Sequence, residues 1–517
     1  MRYGWLLLIL LWINSFAVHA QSNSGPVRVE LEARAQVFNL VPCNDKGIMV
    51  FYETINQPDQ QNKTWFFILH NTALETIWTR EISINVDFVF QSSFIDNENL
   101  FLVFQKSTKA KTDSHFFQLL NLNLQNGESV TYSIPMPANS DIVTFEIFSN
   151  HLILGLNHGK ERATLLIKDL STGDESTVKF NDQSTFIKDL KIDAATSTIY
   201  TALNIFQSKR ESSFYVNAYN MSGQLLQNIA LTPPQTTERI MNGQLHIDNE
   251  KNIYVIGTYN NTNGKAIKED RTKSGDPSEG FYMAGIVGDS QKFLHTYSLL
   301  NFSNIRRILN NKQLAAAESL LKKQNRQNKE QGLTYDFLVH NLQVNDDELI
   351  IAADAFYPEY RQVSTMSYDF YGRPMPYYYT IFEGYQYFNA FVAGFNKQGE
   401  LGWSNGIKIW EMKSFQINQK TEVFIDDDEM FIFYNHDGKI VSKAFHKFND
   451  IGTIENTQIA TNFPGDRLIE NSQGNIKHWY GNNFVAYGYQ TLQNNTQGSS
   501  ERRKVFYMNK IALDYQY

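Results

Sequence analysis

Residues 96–105 read DNENLFLVFQ, an acidic, asparagine-rich turn followed by a short apolar strand, and this pattern recurs along the chain. Apolar runs bounded by Asn, Asp and Gly are typical of strands that begin after tight turns. The other seven occurrences are NDKGIMVFYE (44–53), SNHLILGLN (149–157), DAATSTIYTALN (193–204), DNEKNIYVIGTY (248–259), NDDELIIAADAF (345–356), DDDEMFIFYN (426–435) and GNNFVAYGYQ (481–490).

A second segment recurs in step with the first and consists of another apolar strand and a polar turn. Examples are WFFILHNTALETIW (65–78), FYVNAYNMSGQLL (214–226) and FNAFVAGFNKQGELGW (388–403). Four short strands per unit are typical of a β-propeller blade. We therefore predict an all-β fold, a single β-propeller of eight four-stranded blades, with seven as the alternative count. A pair of β-sandwich domains is disfavoured because the period spans four strands rather than one.

The two ends of the chain complement each other. The eighth unit ends at Tyr517 after its third strand, and an unassigned strand at 27–33, VRVELEA, precedes the first complete unit. We expect this N-terminal strand to complete the last blade. The ring would then close without leaving open sheet edges, which promote aggregation.

The N-terminus predicts export. Arg2 precedes an apolar run from Trp5 to Ile13, and small residues occupy positions 18 and 20, as in a secretory signal that is cleaved after Ala20. The apolar run is too short to span a bilayer, which takes about 20 residues. The sequence thus predicts a signal peptide at 1–20 and a propeller at 21–517 with no transmembrane span. Its location would be periplasmic, on the outer surface or secreted.

Composition and motifs disfavour several function classes. A net charge of −8 argues against nucleic-acid binding by the whole chain. The histidines lack zinc-site spacing, and the acidic turns at 346–348 and 426–429 lack the spacing of a calcium loop. We therefore expect no metal and no cofactor and assign no catalytic residue. Two carboxylates that face each other across the propeller funnel would still be compatible with an enzyme.

Three insertions interrupt the repeat in units five and six. Residues 259–280 lie between the second and third strands of unit five, residues 303–331 join units five and six, and residues 357–387 lie between the second and third strands of unit six. Blade topology directs all three to the same face of the propeller. Elaborated loops on one face of a rigid scaffold are where binding sites usually lie.

The insertion 303–331 is predicted to be a basic helix. Ser303 is a suitable N-cap, Ala315 to Ala317 favour helix, and Gly332 follows the end. Its candidate anion-binding residues are Lys322, Lys323 and Arg326. A solvated helix face and a docking surface for an anionic partner both remain open.

The insertion 357–387 is rich in tyrosine. Nine of the 27 tyrosines in the chain lie between residues 356 and 391. Tyrosine combines a flat apolar ring with a polar tip and suits binding to sugars or proteins, and arginine pairs with carboxylates. The segment could equally be a hairpin, turning at YDFYGRP, whose rings pack together. The candidate binding residues are Tyr357, Tyr360, Arg361, Tyr368, Tyr371, Arg373, Tyr377, Tyr379, Tyr385 and Tyr387.

Two family resemblances are visible. The turn NKQGELGWSN (396–405), and more loosely NTALETIWT (71–79), resembles the Gly-then-Trp docking motif of quinoprotein-type propellers, which implies that Trp78 and Trp403 pack between blades. The strings ADAFYPEYR, YDFYGRP and FEGYQYFNAFVAGF resemble an uncharacterised family of exported bacterial propeller proteins over residues 333–403. The second resemblance implies a secreted propeller and no known activity.

These observations favour an exported, non-catalytic propeller that binds a protein or glycan, in the cell envelope or outside the cell, through the face of blades five and six. One alternative is a propeller enzyme, a lyase or glycosidase, that acts on polysaccharide. Another is a structural subunit of a cell-envelope complex that docks through the basic helix.

Overall fold

A computed structural model describes most of the chain. The described residues are 28–33, 36–55, 58–106, 116–159, 162–180, 183–208, 211–261, 277–302, 314–315, 318–319, 334–345, 347–368, 370–446, 449–450, 452–494 and 502–513. The predicted signal peptide, residues 1–20, lies outside them.

The described strands form eight antiparallel sheets, which are the blades of a β-propeller. Strand β1 (Arg28–Glu32) belongs to the last sheet, and the other sheets follow in chain order. Blade one contains β2 (Phe38–Pro42), β3 (Ile48–Glu53), β4 (Asn62–His70) and β5 (Thr76–Asn85). Blade two contains β6 (Phe88–Asp96), β7 (Asn99–Lys106), β8 (Phe116–Asn123) and β9 (Ser129–Pro135). Blade three contains β10 (Ser140–Phe148), β11 (His151–His158), β12 (Arg162–Asp169) and β13 (Glu175–Phe180). Blade four contains β14 (Ser184–Asp193), β15 (Thr198–Phe206), β16 (Ser212–Tyr219) and β17 (Leu225–Leu231).

The remaining blades include the two that the insertions modify. Blade five contains β18 (Glu238–Ile240), β19 (Gln244–Ile247), β20 (Ile253–Asn261), β22 (Gly280–Val287) and β23 (Ser290–Ser298). Blade six contains β21 (Pro277–Ser278), β24 (Tyr335–Val339), β25 (Gln343–Asn345), β26 (Glu348–Tyr368), β27 (Pro374–Asn396) and β28 (Leu401–Ser414). Blade seven contains β29 (Thr421–Asp426), β30 (Glu429–His436), β31 (Lys439–His446) and β32 (Glu455–Gln458). Blade eight contains β33 (Asp466–Tyr480), β34 (Asn483–Asn494), β35 (Arg502–Ala512) and β1. Short 3-10 helices lie at Asn44–Lys46 and Leu299–Asn301.

The recurring polar turns have a backbone explanation. Asn97 and Asp427 adopt positive φ angles of 52° and 49° between the first and second strands of their blades. Asn and Asp tolerate this left-handed conformation better than other residues with a side chain. The acidic run 426–429 therefore forms a tight turn between β29 and β30.

Apolar side chains from neighbouring blades pack into shared clusters. One cluster joins blade one to blade two through Phe51 and Phe104. Another joins blade eight to blade one through Trp479 and Val50, and the indole Nε1 of Trp479 donates to the Gly47 carbonyl at 2.9 Å. Burial of this kind stabilises each boundary by about 25 cal/mol per Å² of apolar surface. The last blade thus packs on the first, and the ring is closed.

The N-terminal strand closes the ring as predicted. Strand β1 pairs antiparallel with β35, from Arg28 opposite Asn509 to Glu32 opposite Val505. The Arg28 guanidinium is buried, where it pairs with Glu30 at 2.8 Å and donates to Gln490 Oε1 at 2.9 Å. It also lies 4.8 Å from the centre of the Tyr507 ring.

A polar side chain at an equivalent position of the second strand links blades two, three, four, six and seven each to the blade that follows. This residue lies five positions after the first apolar residue of the repeated strand segment, as Gln105 does after Leu100. Its side chain bonds to the start of the following blade, and it is usually an amide. The amide examples are Gln105 to the carbonyl of Ser140, Asn157 to the N–H and carbonyl of Ile187, Asn204 to the carbonyl of Ile240, and Asn435 to the carbonyl of Asn475. Blade six differs, because Asp354 occupies this position and accepts from the backbone N–H of Lys420 at 2.7 Å. We call these side chains the inter-blade latches.

The two tryptophans take part in packing around the blades. Trp78 is buried and its Nε1 donates to the Leu124 carbonyl at 2.9 Å, which joins blades one and two. Trp403 packs against the apolar cluster that blades six and seven share, and its Nε1 donates to Glu348 at 2.9 Å.

The insertions in units five and six are described in part. Strand β21, which lies near the end of the insertion 259–280, pairs with β24 and so joins the sheet of blade six. Within the predicted helix 303–331, residues 314–315 and 318–319 are described and helical, and Leu314 packs against the apolar cluster between blades five and six. Lys322, Lys323 and Arg326 lie outside the described residues.

Candidate functional site

The second and third strands of blade six continue far beyond their sheet. Strand β24 pairs with β26 as far as Phe356, and β28 pairs with β27 as far as Tyr385. Beyond these points, and within the described part of the chain, residues 357–368 pair only with β27 and residues 374–384 pair only with β26. We call this two-stranded segment, residues 357–384, the ribbon.

The two faces of the ribbon follow from its register. From Tyr360 opposite Phe382 onwards, directly opposed residues share a face, and successive residues alternate between faces. One face carries Tyr360, Gln362, Ser364, Met366, Tyr368, Tyr378 and Phe382. The other face carries Arg361, Val363, Thr365, Ser367, Met375, Tyr377, Tyr379 and Ile381.

Large apolar side chains are exposed on both faces. Tyr368 is 71% exposed and Tyr371 at the turn is 79% exposed. Tyr360, Met366, Phe370, Met375, Tyr377 and Tyr378 are also exposed. Soluble proteins rarely expose contiguous apolar surface of this kind without using it for binding.

Ion pairs and aromatic packing hold the ribbon at its base. The Arg361 guanidinium pairs with Glu383 at 2.6 Å, and the Lys413 ammonium pairs with Glu359 at 2.6 Å. The Phe382 ring packs edge-on against Tyr385 at 5.1 Å. Since exposed ion pairs are each worth less than about 1 kcal/mol, the aromatic contacts are the more important support.

The tip of the ribbon presents rings in fixed arrangements. The Arg373 guanidinium lies 5.7 Å from the centre of the Tyr371 ring, within the range of a cation–π contact. The rings of Tyr377 and Tyr379 stack at 6.2 Å with an interplanar angle of 27°. A partner would therefore meet aromatic rings that already contact each other or a guanidinium.

The predicted tyrosines divide into two groups. Tyr357, Tyr360, Tyr368, Tyr371, Tyr377 and Tyr379 lie on the ribbon with exposed rings. Tyr385 is partly buried at the base, against Phe356 and Phe382. Tyr387 is 0% exposed, and its hydroxyl donates to the Asn418 carbonyl at 2.9 Å, so it supports the base and offers no surface to a partner.

Sequence reasoning missed several exposed residues of the same surface. Met366, Phe370 and Tyr378 belong to the ribbon, and Phe415 lies beside its base, 6.3 Å from Phe382. Alternation along β27 places Tyr378 on the face that also carries Tyr360 and Tyr368, and this signal would have identified it.

A buried polar cluster lies below the ribbon, where blade six meets blade seven. The Asp354 carboxylate accepts from the backbone N–H of Lys420, and His340 Nε2 lies 3.2 Å from its Oδ2. The Thr421 hydroxyl donates to the other carboxylate oxygen, Oδ1, at 2.5 Å. Lys420 continues the cluster towards the ribbon, with its ammonium 5.7 Å from the centre of the Tyr387 ring.

Burial shifts the titration of this cluster. Burial alone would raise the pKa of Asp354, but His340, the Thr421 hydroxyl and the Lys420 N–H together hold that pKa below its ordinary value. Burial lowers the pKa of Lys420 to about 8 against the opposing effect of Asp354. Burial also raises the pKa of Glu422 to about 7, although His340 and Lys477 oppose the shift. Glu422 could thus exchange a proton near neutral pH.

Two further observations concern cofactors and membranes. In the ranges that the structure describes, no group of three or more His, Cys, Asp or Glu side chains converges as a metal site requires. No described helix is long and apolar enough to cross a membrane.

Comparisons with known proteins find only distant structural similarities. No family model and no curated protein sequence matches the chain. Similar solved structures include Sqt1 of Saccharomyces cerevisiae, at 10% identity and a TM-score of 0.41, over 94% of this chain and 98% of that one. The polysaccharide lyase Uly1 has 10% identity and a TM-score of 0.36, over 82% and 90% of the two chains. The WD40 domain of SCAP from fission yeast has 8% identity and a TM-score of 0.34, over 95% and 91%. At these identities and TM-scores the similarities indicate nothing about activity.

Proposed function

We propose that this chain is an exported, non-catalytic propeller that binds a protein or glycan partner through the face of blades five and six, with the ribbon as the main contact surface. The exposed rings on both faces of the ribbon carry this proposal. Aromatic residues dominate the energetics of interfaces because they bury much apolar area at a small loss of conformational entropy.

Rigid attachment supports a binding role. Ion pairs link Arg361 and Lys413 to the two glutamates at the base, and Tyr387 joins the base to the loop before blade seven. A surface that is already ordered loses less entropy when it binds a partner.

The test measures which proteins from cell-envelope extract, and which polysaccharides from an array, are retained by the native chain and by two variants. The double variant Tyr371→Ala/Arg373→Ala removes the cation–π pair at the tip. Leu225→Ala/Leu226→Ala removes exposed apolar side chains on the outer strand of blade four and serves as the control. The proposal expects the tip variant to lose affinity at least tenfold, roughly 1.4 kcal/mol, and the control to bind as the native chain does. Equal binding by both variants would refute it.

Export and partner location belong to the same proposal. The mature chain would begin near Gln21 and act in the periplasm, on the outer surface or outside the cell. Mass spectrometry of the protein recovered from intact cells would locate its N-terminus. An uncleaved Met1 would contradict export by this route.

An enzyme that acts on polysaccharide is the alternative that Glu422 favours. A carboxyl with a pKa of about 7 is suited to proton transfer at neutral pH. Release of reducing ends or unsaturated products from envelope polysaccharides, abolished by Glu422→Gln, would establish this alternative.

Docking in an envelope complex through the basic segment 303–331 is the third possibility. Charge reversal at Lys322 and Lys323 would then weaken association and reduce its dependence on salt. Unchanged association would remove this alternative.

A further inference from the structure

The ribbon has two long edges that differ in their capacity for further pairing. Strand β27 carries Pro374 and Pro376 near the tip, and proline cannot donate a backbone hydrogen bond. Strand β26 has no proline from Tyr360 to Tyr368 and no register shift within that stretch. Proteins usually protect exposed edges with proline, charge or bulges, and among the described residues the β26 edge from Gln362 to Tyr368 has none of these features.

The prolines also fix which backbone groups point outwards. Within a ladder, proline occupies positions whose nitrogen faces away from the neighbouring strand. Pro376 lies directly opposite Met366. In an antiparallel pair, two opposed residues either both point their N–H and C=O groups towards each other's strand or both point them away from it. The N–H and carbonyl of Met366, and by alternation those of Ser364 and Gln362, therefore face outwards from the β26 edge.

We propose that this edge pairs with the same edge of a second copy of the chain, antiparallel and centred on Ser364. Pairing about a two-fold axis places Ser364 opposite its own copy, with Gln362 opposite Met366 and Tyr360 opposite Tyr368. The outward N–H and carbonyl groups of Ser364 then bond reciprocally across the axis. The two ribbons become one four-stranded sheet.

Charge and packing are compatible with this arrangement. The one charged side chain between Tyr360 and Tyr368 is Arg361, which lies opposite Ser367 of the second copy rather than another arginine. A cross-strand pair of tyrosines forms at each end, and such pairs stabilise sheets. A sheet of four strands with apolar side chains on its faces is more stable than a two-stranded ribbon.

The propellers would not collide. Ser364 lies seven positions beyond Tyr357 in each copy, or about 23 Å at roughly 3.3 Å per residue. The two bases would thus be about 46 Å apart. Both faces of the shared sheet stay open, so the dimer adds to the partner binding proposed above and does not depend on it.

A cysteine placed at the two-fold axis tests the register directly. The natural Cys43 is buried and burial raises the pKa of its thiol to about 12, so an added thiol reacts alone. Ser364→Cys would lie about 5.5 Å from its copy, measured between Cα atoms, which permits a disulfide. Ser367→Cys is equally exposed but would face Arg361, and it serves as the control.

The expected result is a dimer of the full chain by light scattering, with Ser364→Cys oxidising to a covalent dimer at least about tenfold faster than Ser367→Cys. Ser364→Pro, which removes an outward N–H and leaves the pairing within the ribbon intact, should be monomeric and should melt as the native chain does when both are diluted to monomers. A monomeric native chain would overturn the proposal. So would equal rates for the two cysteine variants, or a dimer that survives Ser364→Pro.

Discussion

The Nε2 atom of His340 lies 3.2 Å from Oδ2 of Asp354, and both side chains are buried where blade six meets blade seven. Asp354 occupies the latch position that an amide fills in four other blades. A buried carboxylate requires compensation, which His340, Thr421 and the Lys420 N–H supply here. The charged latch occurs in the blade that carries the ribbon.

Removal of the Asp354 carboxylate should lower the free energy of unfolding. We expect Asp354→Ala to lower the free energy of unfolding at pH 7 by about 3 kcal/mol, because buried hydrogen-bond donors lose their acceptor. Asp354→Asn keeps an acceptor oxygen and should cost about 1 kcal/mol. Urea unfolding followed by tryptophan fluorescence measures both values, and Asn157→Ala provides an uncharged latch for comparison. A cost for Asp354→Ala no greater than that for Asp354→Asn would contradict the role of the latch.

The contribution of Asp354 to the free energy of unfolding should depend on pH. Because the folded protein holds the pKa of Asp354 below its ordinary value of 3.8, the stability it contributes is present above that pH and is lost on acidification through the folded value. The stability difference between the native chain and Asp354→Asn should therefore shrink below about pH 4. A difference that stays constant on acidification would argue against ionised Asp354 in the fold.

Glu422 should give the opposite dependence of stability on pH. Its pKa rises from 4.5 to about 7 on folding, so the stability that its protonated form contributes is present below pH 4.5 and is lost as the pH rises to about 7. His340, Lys477 and Asp354 are the charged groups that influence it. Compared with Glu422→Gln, the native chain should lose about 1–2 kcal/mol over this interval, since partial exposure reduces the full effect. Parallel stability curves for the two proteins would exclude the shift.

Ring closure should depend on Arg28. We expect Arg28→Met to lower the free energy of unfolding by about 3 kcal/mol, because Glu30 and the Gln490 side chain lose a buried partner. The exposed Arg502 lies on the neighbouring strand, and Arg502→Ala should change stability by less than about 0.5 kcal/mol. Similar effects for the two substitutions would mean that the buried guanidinium contributes little to closure.

The repeat makes much of this fold predictable from sequence. Eight turn-and-strand segments predict eight blades, and the strand at Arg28–Glu32 completes the last one as its position suggests. The repeat also contains a signal for the buried cluster, since aligned segments place Asp354 with Asn157 and Asn435. His340 and Lys420 carry no such signal, because neither belongs to a repeated position and tertiary packing alone brings them to Asp354.

The limits of prediction within the ribbon have a similar origin. Alternation along a strand separates its two faces, but register shifts between Glu359 and Tyr360 and between Tyr387 and Asn389 change the alternation. Tyr387 is consequently buried, although it resembles its exposed neighbours in sequence. Bulges depend on pairing with the adjacent strand, which one strand's sequence does not specify.

Removal of the ribbon tests the central claim most directly. Replacement of residues 362–380 by Asn-Gly would join Arg361 to Ile381, which are opposed in the native register with inward-facing backbone groups, through a two-residue turn and leave blade six intact. The measurement is the binding isotherm of native and shortened proteins for whatever protein or polysaccharide the native chain retains from envelope material. We expect the shortened protein to melt as the native protein does and to lose binding at least about a hundredfold. A shortened protein that binds with native affinity would contradict the account.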